Sequence, residues 1–400
     1  MSQGRLYLRP ERAKPVIQRH PWIFSRAIAR IEGDPAPGSL VDIYTHDGRR
    51  LAAGYWNPRS QIQARILTWD DEPIDDGWWK RRLSRAIDAR QALRAEHQTN
   101  ACRLIHAESD YLPGLIVDQY DEWLVLQALT LGIDQRKHEM ARFLLELTGA
   151  RGVYERSDVD VRRKEGLPPH RGPLAGDVPP EHVLIAEAGI ALAVPIATGH
   201  KTGFYLDQRP NRMLTVMLIR RLGAGAHLLN LFSYTGGFGL QALAAGAERV
   251  VQVDSSADAL ALAAQQIELN AFDAARVEHV QADVFDYIRE LNARGSQFDV
   301  VVCDPPKFAQ SEQQVERAAR GYKDLNLHSF RLVKPGGYLL TFSCSGAISR
   351  DLFQKIVFGA LADSGRDGQI LMHLGAGEDH PIALTFPEGE YLKGLLIRVY

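Results

Sequence analysis

The stretch from Leu228 to Asp254, LLNLFSYTGGFGLQALAAGAERVVQVD, leaves few folds open to this chain. An apolar run, a glycine-rich turn, a small-residue helix, a second apolar run and a terminal acid make one β-turn-α-β unit. Such a unit holds an adenosine group at the carboxyl end of its first strand. Two apolar runs joined in this way are buried on both faces, which calls for a parallel sheet covered by helices.

The sequence around it repeats the pattern. From about Ala191, strand-like runs at Leu228–Phe232, Arg249–Val253, Val277–Gln281, Phe298–Cys303 and Tyr338–Ser343 alternate with helical stretches at Gly239–Ala245, Ala257–Asn270, Val284–Ala293, Glu312–Val333 and Ser349–Ala362. Two further strands, Gln369–Leu374 and Leu395–Val399, close the chain. The expected fold class is α/β: a Rossmann-like, seven-stranded C-terminal domain over residues 191–400. Upstream, Leu6–Leu8, Leu40–Tyr44, Leu51–Tyr55 and Ile62–Trp69 read as strands of a small β-rich domain over 1–72, with Pro10–Gln18 a short helix and Asp47-Gly48 a hairpin turn. Between them, 73–190 reads as an α+β domain: a basic helix at Trp78–His97, strands at Cys102–His106, Leu115–Asp118 and Trp123–Ala128, and a helix at Arg136–Leu147. The Pro/Gly-rich stretch Pro168–Pro180 reads as a surface loop.

No apolar run approaches the ~20 residues a bilayer needs, and Met1–Arg12 has no apolar core, so a cytoplasmic location without a membrane partner is expected. Three cysteines, Cys102, Cys303 and Cys344, form no metal-binding spacing; no metal and no disulfide are expected. Residues 1–70 hold 11 Lys/Arg against 6 Asp/Glu, an excess that suits a polyanion or a solvated basic face equally. The basic segment Arg162-Arg163-Lys164 is a second place where a polyanion could be met.

The glycine turn alone does not choose the cofactor. Gly237-Phe238-Gly239-Leu240-Gln241-Ala242 meets GxGxxA and Asp254 follows at a distance suited to ribose, as in dinucleotide oxidoreductases and in S-adenosylmethionine enzymes alike. Cys303-Asp304-Pro305-Pro306-Lys307-Phe308 breaks the tie. An acid and two prolines end the fourth strand rigidly and project polar groups over the crevice where open α/β sheets bind ligands, an element that hydride transfer does not need. Lys307 stands where enzymes that methylate exocyclic nitrogens place a base-stacking aromatic. At the end of the fifth strand, Cys344 lies between two serines and before Gly346, at the same sheet edge as Asp304, where a thiolate could meet a base. Cys303, one residue before Asp304 on a strand, points the other way by alternation and reads as core.

Taken together, GHKTGFYLDQRPNR (Gly199–Arg212), NLFSYTGGFG (Asn230–Gly239), ADVF, CDPPKF, FSCSG and the DHP…YLKG pair (Asp379–Pro381, Tyr391–Gly394) resemble the PUA-containing large-subunit ribosomal RNA cytosine-5 methyltransferases. HPWIF, GYWNP and ARIL in the first domain are similar to the RNA-binding PUA domain that opens those proteins. The resemblance covers nearly the whole chain. It implies S-adenosylmethionine as cofactor and ribosomal RNA as partner, with cofactor contacts from Phe204, Asp207, Arg209, Asn230, Phe232, Tyr234, Gly236, Asp254, Asp283 and Asp304. It implies Cys344 as nucleophile with Asp304 beside it. Asp254 is expected on the ribose hydroxyls and Asp283 on the adenine amine, although Asp283 also reads as a helix N-cap. The base that removes the carbon-5 proton is unassigned, with His380 or a water as options. A guanine-N7 or other nitrogen methyltransferase, or an inactive RNA-binding assembly factor, are the alternative readings. Homodimer and monomer both stay open.

Overall fold

The computed structural model describes residues 4–309 and 311–400, so the first three residues of the expected N-terminal domain lie outside the described residues. The chain divides into two units. The first comprises residues 1–188 with the later segments Val194–Leu206 and Glu378–Gly389; the second comprises Gly189–Ala193, Asp207–Gly377 and Glu390–Tyr400.

The first unit contains a six-stranded sheet in the order Trp22–Phe24, Ile62–Thr68, Arg50–Trp56, Leu40–Tyr44, Gly4–Leu8, Ile28–Gly33. The Asp-Gly turn joins Leu40–Tyr44 to Arg50–Trp56 as an antiparallel hairpin, with Gly48 at φ 90°. A five-stranded sheet follows, in the order His170–Gly176, Gly152–Ser157, Trp123–Ala128, Leu115–Tyr120, Ala101–His106. Buried charges tie the two sheets. Arg65 bridges Glu108 at 2.8 Å and Glu165 at 3.0 Å, and Tyr55 donates to the Pro113 carbonyl. Isolating either charge in the interior would cost several kcal/mol, so the triad holds together only as a set.

Three expectations for this unit are corrected. Trp78–His97 is two helices, Asp76–Asp88 and Gln91–Glu96, because Arg90 between them is buried and turns its guanidinium onto Ala86 O, Arg103 O and the Asp110 carboxylate. Within Pro168–Pro180, His170–Gly176 is a strand; Pro173 is tolerated because the strand is an edge, where one face of the backbone needs no ladder partner. Arg162 is no phosphate contact. It is 1% exposed, and it donates to Ala128 O, Pro168 O and Asp134.

In the second unit we label the strands β1 (His227–Leu231), β2 (Arg249–Asp254), β3 (Val277–Gln281), β4 (Phe298–Cys303), β5 (Val333–Ser343), β6 (Gly368–Gly375) and β7 (Lys393–Val399). The helices are α1 (Arg209–Leu222), α2 (Gly237–Ala244), α3 (Ala257–Leu269), α4 (Val284–Ala293), α5 (Val315–Leu332) and α6 (Arg350–Ser364). The sheet runs β3-β2-β1-β4-β5-β7-β6, parallel except for β7. Its core is aliphatic: Leu229, Leu231, Val251, Val253, Val301 and Leu339 are each at most 3% exposed. Side-chain caps start the helices: Ser256 for α3, Asp283 for α4 and Ser349 for α6 each accept a backbone N–H of the first turn. Strand order reverses between β1 and β4, and the carboxyl ends of those neighbours are where such a sheet opens a ligand crevice.

Candidate active site

Sequence and backbone meet first at the turn from β1 to α2. Phe232 (φ 58°) and Tyr234 (φ 49°) adopt left-handed conformations that ordinary side chains avoid, and Gly236 (φ 83°) caps α2. A Cβ on Gly236 would lie 2.6 Å from the Gln252 side chain, so this position requires glycine for space as well as for conformation. Asp254 holds the turn in shape. One of its carboxylate oxygens accepts from Tyr234 N–H at 2.8 Å and the other from Ser256 N–H at 2.9 Å. Each oxygen keeps lone-pair capacity for a ligand hydroxyl. Asn230 is buried, and its amide donates to Gln252 Oε1 at 3.2 Å, across the β1–β2 pair.

Asp283, exposed at the end of β3, caps α4 through one oxygen, which accepts from Phe285 N–H at 2.8 Å and Asp286 N–H at 3.3 Å. Its other oxygen makes no hydrogen bond among the described residues. Asp283→Ala should therefore lower stability by about 1 kcal/mol through the lost cap and also weaken cofactor binding. Asp283→Asn should keep the cap and weaken binding alone. Denaturant melts and calorimetry on the two variants separate the effects, and equal cofactor affinity in all three proteins would refute a ligand role.

At the end of β4, Asp304 is half-buried and accepts from Gln208 Nε2 at 2.9 Å; Gln208 in turn accepts from Asn211 Nδ2 at 2.6 Å. Asp207 is buried beside them and accepts from Tyr391 O–H at 2.6 Å, and Arg209 opens α1 as a buried side chain. Phe204 belongs to the first unit, where its backbone N–H donates to Tyr120 O–H at 3.2 Å. His380, an option for the proton-removing base, also belongs to the first unit; its Nδ1 lies 3.0 Å from Asp379.

Cys344 follows directly on β5 and is half-buried. In the β4–β5 register Cys303 pairs with Thr341, so Asp304 and Cys344 leave adjacent strands at one sheet edge. Cys303 is fully buried, and burial pushes its thiol up to about 12. It is core, as alternation predicts. Ser345 pins the turn after Cys344: its hydroxyl accepts from Ala309 N–H at 3.2 Å and lies 3.0 Å from Tyr322 O–H on α5. Phe308 has rings on both sides, Tyr322 at 4.8 Å and Phe285 at 6.0 Å between centroids, and packs against the core. Lys393 on β7 is buried and donates to the carbonyls of Ser345 at 2.7 Å and Ile348 at 2.6 Å.

Sequence reasoning gave no role to Lys393, Tyr322 or the Gln208–Asp304 bond. Their partners lie 48, 23 and 96 residues away, beyond any local pattern. The YLKG motif was the one signal pointing to Lys393.

The donor set suits an adenosine cofactor without phosphates: two acids at successive strand ends and a strained glycine turn. Two family models match, a PUA-like domain over residues 6–69 and an S-adenosylmethionine-dependent methyltransferase over residues 171–364. The second unit thus has the fold of a methyltransferase that uses S-adenosylmethionine. Among solved structures, a methyltransferase from Streptococcus mutans superposes with a TM-score of 0.83 at 22% identity, over 98% of this chain and 99% of that one. Another, complexed with SAH (S-adenosylhomocysteine), gives 0.84 at 22%, with the same coverage; at this identity the likeness speaks for the fold. Curated relatives are much nearer. Ribosomal RNA large subunit methyltransferase I of Aeromonas salmonicida is 48% identical over 394 residues, 98% of both chains, and that of Escherichia coli is 46% identical over 396 residues, 99% of both. The chain belongs to the ribosomal RNA large subunit methyltransferase I family.

Proposed function

We propose that this protein transfers a methyl group from S-adenosylmethionine to carbon 5 of a cytosine in large-subunit (23S) ribosomal RNA, through a covalent bond from Cys344. The observation that carries the reading is the contrast between two cysteines at neighbouring strand ends. Cys303 is sealed in the core, whereas Cys344 is half-buried beyond β5, at the edge that also bears Asp304.

Asp254 would take the ribose hydroxyls and Asp283 the adenine amine, with Asp207, Arg209, Asn230, Phe232, Tyr234 and Gly236 shaping the pocket. The bound cofactor supplies an electrophilic methyl group on a sulfonium. Carbon 5 of cytosine is a poor nucleophile, so the Cys344 thiolate adds to carbon 6 and makes carbon 5 electron-rich. Asp304, oriented by Gln208, would accept from the exocyclic amine and, as the protonated acid, donate to nitrogen 3, where the negative charge of the adduct develops. Carbon 5 would then take the methyl carbon as its bond to the sulfonium sulfur breaks, leaving S-adenosylhomocysteine; the carbon-5 proton would pass to water or a nearby base, and elimination of the Cys344 thiolate from carbon 6 would restore the ring. The base must be unpaired or flipped out, at a cost of a few kcal/mol.

RNA capture falls to the first unit. Its six-stranded sheet borders a cleft of about 680 Å³ lined by Arg12, His20, Trp22, Phe24 and Arg26, with Phe24 48% exposed. Arginines and exposed rings suit a single-stranded nucleic acid. The Arg12→Glu/Arg26→Glu double variant should weaken RNA binding and lower the salt slope by about 2, with cofactor affinity unchanged. An unaltered slope would remove this cleft from the RNA footprint. Residues 1–72 and 73–190 are proposed as distinct functional modules within the first unit, ahead of a methyltransferase module at 191–400. The proposed setting is the cytoplasm, with a homodimer as one possible assembly. No described helix is long and apolar enough to cross a membrane.

Nitrogen methylation is disfavoured because Lys307 is exposed and the Phe308 ring is already packed, tilted, against Tyr322 and Phe285. Bisulfite sequencing and nucleoside mass spectrometry of ribosomal RNA, from cells with and without the gene, decide the matter. Loss of one 5-methylcytosine supports the reading; loss of a methylguanine instead would overturn it. If no nucleoside changes and calorimetry finds no cofactor binding, an assembly factor is the remaining reading.

A further inference from the structure

We propose that Lys393 is a positioning residue for Cys344: its ammonium fixes the turn that carries the cysteine and supplies the positive field in which the thiol ionises. This rests on the covalent reading above.

In the β5–β7 ladder Lys393 stands opposite Ser343, one residue before Cys344. The side chain spends its donors on two carbonyls of the following turn, Ser345 O at 2.7 Å and Ile348 O at 2.6 Å. With the Ser345 hydroxyl fixed by Ala309 N–H and Tyr322, the backbone after Cys344 is held from three directions.

A lysine that is 2% exposed is unusual unless an acid pairs with it. Among the described residues Lys393 forms no ion pair within 4 Å. The charged groups that reach it are Glu390 and Cys344, which favour its protonation, and Arg350 and Lys307, which oppose it. Glu390 is already engaged by Arg350 at 2.6 Å. After Glu390, the Cys344 sulfur is the second group whose negative charge would favour this buried ammonium. Burial brings the amine down to about 8, so at neutral pH it is still mainly protonated and acts as a cation beside the thiol. When the thiol ionises, its proton leaves to water and a thiolate–ammonium pair remains, titrating as one coupled system.

The test follows the pH dependence of iodoacetamide alkylation at Cys344, read by peptide mass spectrometry on the full chain, together with kcat and KM. In the wild-type enzyme the apparent thiol pKa should fall below the ordinary value of about 8.5. Lys393→Met should raise it by about one unit or more and lower kcat by about 100-fold, with KM for S-adenosylmethionine little changed. Lys393→Arg, which keeps charge and donors, should recover most of the shift. A merely structural clamp would alter stability without moving the thiol titration. An ordinary or raised pKa in the wild type overturns the proposal even if no variant folds, as does an unchanged titration in Lys393→Met. If Cys344→Ser itself methylates normally, the covalent reading fails and this inference falls with it; if Cys344 is essential and Lys393 is silent, only the inference falls.

Discussion

Cys344→Ser should lose methyl transfer by more than about 10⁴-fold, the scale on which covalent catalysis is lost when its nucleophile is removed. Serine has nearly the same size and can occupy the turn held by Ser345 and Lys393, so cofactor binding should stay at the wild-type level. What it lacks is an accessible anion, since its hydroxyl does not ionise near neutral pH. Cys303→Ser provides the control. That thiol is fully buried and is pushed up to about 12 by burial, so its replacement should cost some stability and leave turnover intact. Single-turnover assays on ribosomal RNA, with cofactor calorimetry in parallel, check both outcomes. Wild-type turnover in Cys344→Ser would end the covalent account.

The second large effect is expected at Asp254. Truncation to alanine would remove the two charge-assisted hydrogen bonds proposed to ribose, each worth roughly 1.5–3 kcal/mol, and should weaken S-adenosylmethionine affinity by about 100-fold or more. The carboxylate does more than meet ligand, because it also ties Tyr234 N–H and Ser256 N–H. Phe232 and Tyr234 sit in left-handed backbone that persists only while such ties hold it. Asp254→Ala should therefore loosen the turn and lower the melting temperature, whereas a substitution that removed ligand contacts alone would leave stability untouched. Asp254→Asn keeps one acceptor and should fall between the two in both measurements. Calorimetric titration with S-adenosylmethionine checks this, and an unchanged dissociation constant in Asp254→Ala would remove Asp254 from the cofactor site.

Much of the second unit could be read from residue order, because each apolar run that becomes a strand ends at a chemically distinct stop. β1 ends at the glycine turn, β2 at Asp254, β4 at Asp304 and β5 at the serines around Cys344. Parallel strands buried on both faces cannot hide such stops, and so the strand ends were visible. Helix α1 was not among the expected helices, because its start at Arg209-Pro210 follows the cofactor motif directly and its buried arginines, Arg209 and Arg212, break the apolar stripe. The first unit was harder. Trp22–Phe24 is only three residues long, Ile28–Gly33 alternates weakly, and both are strands because neighbours far along the chain pair with them.

The charges were misread for a related reason. Arg90, Arg65 and Arg162 look like solvated basic residues in sequence, yet each is buried and bonded to groups that no local window contains. Asp283 illustrates the opposite case: both of its readings, helix cap and ligand acceptor, are compatible, because the residue is exposed and only one of its oxygens serves the cap. The segments Gly199–Leu206 and Glu378–Gly389 carry motifs of the catalytic family and are nevertheless bonded within the first unit. Arg156 donates to Gly199 O at 2.9 Å, Thr202 to Asp118 at 2.6 Å, and Arg103 N–H to Asp379 at 3.1 Å.

The central claim is that a covalent bond forms between Cys344 and the target cytosine, and one measurement addresses it directly. RNA bearing 5-fluorocytosine at the target has no removable proton at carbon 5, so after methyl transfer the enzyme cannot expel its sulfur. Incubated with this RNA and S-adenosylmethionine, the wild-type protein should migrate as a denaturation-resistant RNA adduct, and peptide mass spectrometry should find the modified base on Cys344. Absence of an adduct with a substrate that is otherwise methylated, or an adduct mapped to Cys303, would contradict the account.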